Sequence, residues 1–135
     1  MSIGIRNGDI VVTQSATFVA TVNTIVNAEE TPLFLDVESG SLELREDQLR
    51  EAFKRYGSRI KAIIPVCLYG RMQNLYKILD IGEARDIPVI EDACQAHGAE
   101  LNGKKVGSIG TSGAFSFYSS KNMTVGGRWG DDNHR

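Results

Sequence analysis

The last third of the sequence contains one segment whose residue types suit covalent chemistry with an aldehyde. From Ser112 to Asn122 it reads SGAFSFYSSKN, so a short apolar run leads into hydroxyl side chains and a single lysine, Lys121. A lysine amine can form a Schiff base with an aldehyde, and hydroxyl groups can bind a phosphate. A lone lysine in a polar loop is usually just solvated, and the segment by itself leaves both interpretations open.

A second segment places carboxylates directly after an apolar run. From Val89 to Ala99 it reads VIEDACQAHGA, in which Glu91 and Asp92 end the run and Gln95 and His97 follow closely. A carboxylate in this position needs a partner, which a bound ligand could supply. Surface solvation, or the N-terminus of a helix capped by Asp92, would satisfy the same requirement without any function.

Apolar runs of strand length recur along the chain and are rich in β-branched or aromatic residues, which predicts five strands. They are Ile10 to Val12, Pro32 to Val37, Ile60 to Val66, Pro88 to Ile90 and Gly113 to Phe117. Because the runs are continuously apolar, we expect the strands to be buried on both faces.

Segments with helical periodicity lie between these runs. Apolar residues recur at helical spacing from Leu49 to Tyr56, with Gly57 as a stop, and again from Leu75 to Gly82. The stretch from Phe18 to Ala28 is also predicted to be helical, although several β-branched residues weaken the pattern. Alternating strands and helices predict an α/β fold around a mostly parallel sheet. Ligands of such sheets bind beyond the carboxyl ends of the strands, which is where both chemical segments begin.

Composition restricts the classes of function. The 15 Lys and Arg nearly balance the 17 Asp and Glu, so nucleic acid is not an expected partner. No apolar run approaches the roughly 20 residues of a membrane span, and the first residues lack a secretory signal; we expect no membrane partner and a cytoplasmic protein. Cys67 and Cys94 lack the paired spacing of a zinc site, so no metal is expected and both are predicted to be buried, reduced thiols.

Four phrases in order along the chain resemble the sugar aminotransferases of the DegT/StrS type, which belong to the fold-type I enzymes that use pyridoxal phosphate (PLP). They are GDIVVTQSATFVATVN (8–23), KAIIPVCLYGR (61–71), VIEDACQAHGA (89–99) and KKVGSIGTSGAFSFYSSKN (104–122). The resemblance implies a partial three-layer α/β/α large domain with PLP as its cofactor. It also implies a homo-oligomeric enzyme in which glutamate donates an amino group to PLP and a nucleotide-linked keto-sugar then receives it.

The resemblance assigns roles by position. Lys121 matches the lysine that binds PLP covalently and then moves the proton between substrate carbon and cofactor. Asp92 matches the aspartate facing the pyridine nitrogen, where its charge keeps that nitrogen protonated. Phe18 matches an aromatic ring stacked on the cofactor; the alternative is that it is an ordinary core residue. Gln95 matches a residue whose side-chain amide approaches the cofactor on the other side of the site. Ser116 matches a serine that binds the cofactor phosphate.

His97 follows the same motif, and we expect structural support from it rather than action as a base.

The chain departs from the family pattern at both ends. Family members are more than twice as long, and the N-terminal turn that binds the PLP phosphate has no counterpart before Gly8. Gln14 and Ala16 stand where the family usually has proline and an aromatic residue. We therefore interpret residues 1–125 as a partial PLP-binding large domain of doubtful activity.

Residues 126–135 are predicted to be a divergent, disordered tail. One permissible set of codons from Gly127 to His134, read in another frame, gives the family-like Asp-Gly-Gly-Gly-Met-Ile-Thr-Thr, so a frameshift is suspected. Incomplete cover of the sheet also leads us to expect that the isolated chain self-associates.

Other interpretations remain beside this one. The PLP-dependent sugar dehydratases resemble the family but have histidine in place of the lysine, so Lys121 argues against them. The chain could instead be a non-catalytic remnant or an interaction module, because a recently truncated gene would keep the same residues. Glycines 103, 107, 110 and 113 could form a nucleotide-binding loop, although they do not join a strand to a helix as the dinucleotide fingerprint requires.

Overall fold

A computed structural model describes residues 6–124, which form seven strands and three α-helices. The strands are β1 (Ile10–Gln14), β2 (Thr31–Leu35), β3 (Ile60–Ile64), β4 (Ile90–Asp92), β5 (Glu100–Leu101), β6 (Lys104–Lys105) and β7 (Ser112–Ala114). The helices are α1 (Val19–Asn27), α2 (Glu46–Tyr56) and α3 (Leu75–Glu83), and a 3₁₀ turn (Gly57–Arg59) follows α2. The tail predicted for residues 126–135 lies outside the described residues.

The main sheet is parallel. Strands β2, β1 and β3 are hydrogen-bonded in that order, and β4 pairs with β7 in parallel. Two parallel bridges, between Ile63 and Val89 and between Val66 and Asp92, join β3 to β4. The five predicted strands therefore lie side by side in the order β2-β1-β3-β4-β7, and their carboxyl ends share one edge.

Helices cover the two faces of this sheet, as the side-chain alternation of β1 illustrates. Val12 packs with Leu49 of α2 and Ile78 of α3 on one face, whereas Val11 packs with Ile25 of α1 on the other. Neighbouring residues of a strand point to opposite faces, so this assignment places α2 and α3 on one side and α1 on the other. The predicted α/β/α layering is confirmed.

The predicted helices form where their periodicity placed them. Glu46 and Asp47 lie in the first turn of α2 and Lys54 and Arg55 in the last, which favours the helix dipole. Gly57 ends the helix with a positive φ of 55°, a conformation that glycine adopts without a steric penalty. The helix stop read from Gly57 is therefore confirmed.

Three details of the strand prediction are wrong. The last two strands are shifted: β4 ends at Asp92 rather than Ile90, and β7 ends at Ala114 rather than Phe117. Burial on both faces holds for β1, but all of β7 is exposed and β2 is only partly buried, because these are the outer strands of the row. The antiparallel pair β5–β6 was not predicted, although the Asn102-Gly103 turn, with positive φ at both residues, is typical of a hairpin.

Candidate active site

A cleft of about 470 Å³ opens at the carboxyl edge of the sheet. It lies between the start of α1, the segment after β4 and the segment after β7. Its lining is mostly apolar with a few polar groups, which is the usual character of a small-molecule site. The lining residues are Phe18, Ala20, Thr21, Val66, Asp92, Cys94, Gln95, Ser116, Tyr118, Ser120 and Lys121. All five residues assigned to the site by resemblance are among them.

Asp92 lies at the end of β4, where it is half-buried and held by two hydrogen bonds. The Thr21 hydroxyl donates to Oδ2 at 2.7 Å, and the Cys94 backbone N–H donates to Oδ1 at 3.1 Å. No helix follows Asp92, so the alternative of a helix cap is wrong, and a half-buried carboxylate is not simply a solvated surface group. Its orientation is fixed, and its charge borders the cleft.

Lys121 and Phe18 approach each other across the cleft. The Lys121 Nζ atom lies 5.4 Å from the centroid of the Phe18 ring, within the range of a cation–π contact. Lys121 is half-buried, so the interpretation as a freely solvated loop lysine is wrong. Phe18 is 58% exposed, so it is not an ordinary core residue either. An exposed aromatic face beside an amine leaves room for a flat ligand to stack.

Ser116 and Gln95 complete the predicted set on other sides of the cleft. The Ser116 hydroxyl accepts a long hydrogen bond of 3.4 Å from the Tyr118 N–H. The Gln95 side-chain oxygen accepts one of 3.4 Å from the Tyr69 N–H, while its backbone oxygen accepts from Gly70 at 2.8 Å. Bonds of 3.4 Å are weak, so both side chains can turn toward a ligand at low cost.

His97 lies outside the cleft lining. Its ring packs at a tilt against Phe115 and Phe117, with centroid distances of 5.4 and 5.5 Å. Both ring nitrogens are buried, and neither has a hydrogen-bond partner within residues 6–124. This packing agrees with the structural role expected for His97.

Thr21 is the main site residue that the sequence did not indicate. Its hydroxyl accepts a hydrogen bond from the Thr17 hydroxyl at 2.8 Å and donates its own proton to Asp92. No local pattern marked it, because its partner Asp92 lies 71 residues away in the sequence. Val66, Cys94 and Tyr118 were also missed, since only the tertiary fold brings them to the cleft.

Gln14 is a second unexpected feature. Its side chain is fully buried, accepts a hydrogen bond from the Val66 N–H at 3.1 Å and one from the Gln73 amide, and donates to the Ala16 and Leu42 carbonyl oxygens. The residue that departs from the family's proline therefore ties β1 to the segments beside the cleft.

The nucleotide-loop interpretation of the glycines is wrong. The N–H groups of Gly107, Ile109 and Gly110 all donate to the side chain of Glu91, so they are not free to bind a phosphate. The segment also leads into β7 and opens no helix.

Residues 6–124 contain neither a cluster of metal-ligating side chains nor a membrane-spanning helix. Within that range, no three or more His, Cys, Asp or Glu side chains are grouped as metal ligands. The same residues include no helix with the length and apolarity needed to cross a membrane.

The two cysteines differ in position. Cys67 is buried as predicted, but Cys94 is only half-buried and borders the cleft, so that part of the prediction is wrong. Burial raises the pKa of the Cys94 thiol to about 11, and the hydrogen bond and negative charge of Asp92 contribute to the rise. The positive charge of Lys121 lowers this pKa by a smaller amount. Burial likewise raises the pKa of Cys67 to about 11.

We expect Cys94 to react slowly with a thiol reagent such as Ellman's disulfide. The thiolate is the reactive form, and a rise in pKa from 9.0 to about 11 lowers its fraction at pH 8 about a hundredfold. In a Cys67→Ala chain the rate should rise about tenfold per pH unit from pH 8 to 10. A rate that levels off below pH 10, measured on folded protein, would contradict this assignment.

A parallel α/β/α fold with an amine, an oriented carboxylate and an exposed aromatic ring at the strand ends defines the fold-type I class of PLP enzymes. Sequence comparison identifies the branch: the DegT/DnrJ/EryC1/StrS aminotransferase family matches residues 1–127. The chain belongs to this family, whose cofactor is PLP. The family resemblance read from the sequence is confirmed.

Three curated relatives illustrate the range of the family. GDP-perosamine synthase of Vibrio cholerae is 34% identical over 93% of this chain, and the putative pyridoxal phosphate-dependent aminotransferase EpsN of Bacillus subtilis is 38% identical over 91%. L-glutamine:2-deoxy-scyllo-inosose aminotransferase of Streptomyces kanamyceticus is 37% identical over 91%. The match covers 33%, 32% and 28% of these relatives, so the chain spans about a third of their length.

Solved structures agree with the fold. An aminotransferase from Psychrobacter cryohalolentis superposes with a TM-score of 0.86 at 35% identity, covering 93% of this chain and 31% of that one. A GDP-4-keto-6-deoxy-D-mannose-3-dehydratase of E. coli with bound hydrated PLP superposes with a TM-score of 0.80 at 28% identity, covering 89% and 30%. The fold is therefore shared with aminotransferases and with dehydratases.

The cleft residues fit PLP. The volume of about 470 Å³ lies within the range of ordinary ligand sites, and the lining combines an amine, a carboxylate, hydroxyls and an exposed ring. An amine, a carboxylate, hydroxyls and an aromatic ring are the kinds of group that suit the aldehyde, the ring nitrogen, the phosphate and the flat face of PLP, respectively.

Proposed function

We propose that this chain forms the PLP-binding part of a sugar aminotransferase, which transfers an amino group from glutamate to a nucleotide-linked keto-sugar. The single observation that carries the proposal is the convergence of Lys121, Asp92 and Phe18 on one cleft at the carboxyl edge of the sheet. These side chains come from three separate segments. An amine and a carboxylate facing the same aromatic-walled cleft are what PLP chemistry requires.

Each residue of the site then has a specific task. PLP, when bound, supplies an electron sink for the substrate carbanion. Lys121 would hold the cofactor through its Nζ atom and would carry the proton to and from the substrate carbon. Asp92 would supply the negative charge that the ring nitrogen requires, and Thr21 and the Cys94 N–H hold its carboxylate in place. Phe18, Ser116 and Gln95 line the same cleft; Phe18 would hold the aromatic ring, and the other two would bind polar groups of the cofactor.

The donor and the acceptor are part of the same proposal. One relative carries L-glutamine in its name and 2-deoxy-scyllo-inosose as its acceptor, while another makes GDP-perosamine. Both glutamate and glutamine are therefore amino donors to test. Lys121 favours transamination over the dehydration performed by structurally similar enzymes, because histidine is expected at this position in the sugar dehydratases.

A second candidate is a non-catalytic remnant that keeps the site residues without turnover. The presence of Lys121, Asp92, Ser116 and Gln95 does not distinguish a remnant from an active enzyme, whereas turnover does. The cytoplasmic location and the homo-oligomeric state belong to the proposal too and rest on the sequence alone.

Titration of the purified chain with PLP, followed by addition of glutamate or glutamine, tests the proposal. We expect an absorbance band near the visible edge that borohydride abolishes, and its loss on adding donor as the 2-oxo acid appears. A band without amine transfer would favour the remnant that binds but does not react. If no band forms at any PLP concentration up to millimolar, the proposed cofactor site is wrong.

A further inference from the structure

Glu91 is a buried carboxylate for which the proposed chemistry has no use. It is the residue before Asp92 in β4, so its side chain points to the opposite face of the sheet from the cleft. The residue is fully buried, and no ion pair reaches it within residues 6–124. A carboxylate without a cation is expensive to bury unless hydrogen bonds satisfy it.

Three backbone N–H groups satisfy this carboxylate. Gly107 donates to Oε2 at 2.6 Å, while Ile109 and Gly110 donate to Oε1 at 2.7 and 2.6 Å. An ionised carboxylate has acceptors only, which suits a set of donors. We call residues 107–110 the glycine loop; Glu91 bonds to it at three points.

The glycine loop lies close to β4 because it lacks side chains at the points of contact. A Cβ atom on Gly110 would lie 2.6 Å from the Val89 oxygen and 3.2 Å from Cγ of Glu91. Thr111 then bonds to Val89 through both its backbone N–H and its hydroxyl. The loop is thus fixed to the strand that carries Asp92.

The same loop supports the start of the lysine segment. A Cβ atom on Gly113 of β7 would lie 2.4 Å from Gly107 Cα, and one on Gly107 would lie 2.5 Å from Cζ of Phe115. The backbone of β7 and the Phe115 ring therefore rest directly on Gly107, one of the residues that Glu91 holds. Strand β7 is otherwise exposed and pairs only with β4 among residues 6–124.

We propose that Glu91 is a positioning residue for Lys121. It fixes the glycine loop, the loop supports β7 and Phe115, and these residues lead directly into the segment that carries Ser116 and Lys121. Asp92 ends β4, and the segment of Lys121 follows β7, which pairs with β4. By fixing the glycine loop between these two strands, Glu91 sets the distance from Asp92 to Lys121. The role in cofactor binding rests on the proposed function, whereas the ordering of the lysine segment does not.

Glu91→Gln is the informative substitution, because it keeps the size of the side chain and replaces one acceptor with a donor. An amide NH₂ would then face at least one backbone N–H, and a buried donor would lose its partner. Glu83→Gln is the matched control, since Glu83 is an exposed glutamate on α3, outside both the glycine loop and β7.

Backbone hydrogen exchange, followed residue by residue by NMR, tests the ordering without any cofactor. In Glu91→Gln we expect exchange to accelerate about tenfold or more at residues 107–110 and also at 112–118, with α2 unchanged. The Glu83→Gln chain should match the wild type. Faster exchange at 107–110 with wild-type exchange at 112–118 would overturn the proposal, because the loop would then not order the lysine segment. Equal acceleration throughout, including α2, would overturn it as well, since Glu91 would then serve general stability.

Cofactor binding provides the readout that a purely structural role would not move. PLP binds through both Lys121 and its phosphate, whereas pyridoxine 5′-phosphate lacks the aldehyde and cannot react with an amine. We expect Glu91→Gln to weaken pyridoxine 5′-phosphate about threefold through Ser116, and PLP about tenfold, because its bond to Lys121 is affected in addition. Equal weakening of both would overturn the positioning role. A wild-type chain that forms no Lys121-dependent band would instead refute the proposed function, and the exchange data would still decide whether Glu91 orders the segment.

Discussion

Replacement of Lys121 by alanine is expected to abolish covalent capture of PLP. Lys121 is the lysine of the cleft lining, and its Nζ atom lies beside the Phe18 ring. The half-buried position holds the amine at the cleft instead of in solvent. The wild type should show an absorbance band that borohydride fixes as a reduced adduct, and mass spectrometry of a digest should locate the adduct on Lys121. The alanine variant should show neither band nor adduct.

Two matched variants separate amine chemistry from charge and from non-specific labelling. Lys121→Arg keeps the positive charge and the stem, but a guanidinium does not react with the aldehyde, so the band should again be absent. Lys54→Ala removes an exposed lysine of α2 and should leave the band unchanged. An alanine variant with the full wild-type band would assign the capture to another lysine and contradict the site.

The second large effect is expected at Asp92, where Asp92→Asn should weaken PLP about tenfold to a hundredfold. The substitution removes a negative charge from the cleft, and a charged hydrogen bond contributes about 1.5–3 kcal/mol. The fold should survive. The Asn oxygen can accept from the Cys94 N–H, and its NH₂ group can donate to Thr21, whose hydroxyl can turn to accept.

Measured affinities for PLP and unfolding curves in urea check both halves of this expectation. Asp86→Asn, at an exposed aspartate after α3, is the control and should match the wild type in both measurements. If Asp92→Asn binds PLP as tightly as the wild type while remaining folded, Asp92 does not face the charged part of the cofactor. If it unfolds, the Thr21 bond has a mainly structural function.

The chemical segments of the site were predictable because each is contiguous. Lys121 follows Ser116 by five residues, and Asp92 precedes Gln95 by three, so one short phrase places two groups near each other. The apolar runs and the helical periodicity are also patterns within short segments, and they predicted the five strands of the parallel sheet and the three helices. Both kinds of signal depend on neighbours in the chain.

Thr21, Gln14 and Glu91 had no such signal, because their partners are remote in sequence. Thr21, in the first turn of α1, bonds to Asp92 at the end of β4. Gln14, at the end of β1, bonds to Val66, which follows β3. The sequence did single out Glu91 beside Asp92, but it did not indicate which carboxylate would face the cleft. The register of β4 decided that point, since neighbouring residues on a strand point to opposite faces.

The sequence by itself determined the family and the succession of strands and helices along the chain, and it predicted the reactive groups, because these depend on residue type and local spacing. Only the tertiary structure decided how those groups meet. Phe18 and Lys121 come from opposite ends of the chain and lie 5.4 Å apart, ring centroid to Nζ, at the common edge of the sheet. Strand order and register set that distance, and both arise from packing between segments that no local pattern relates.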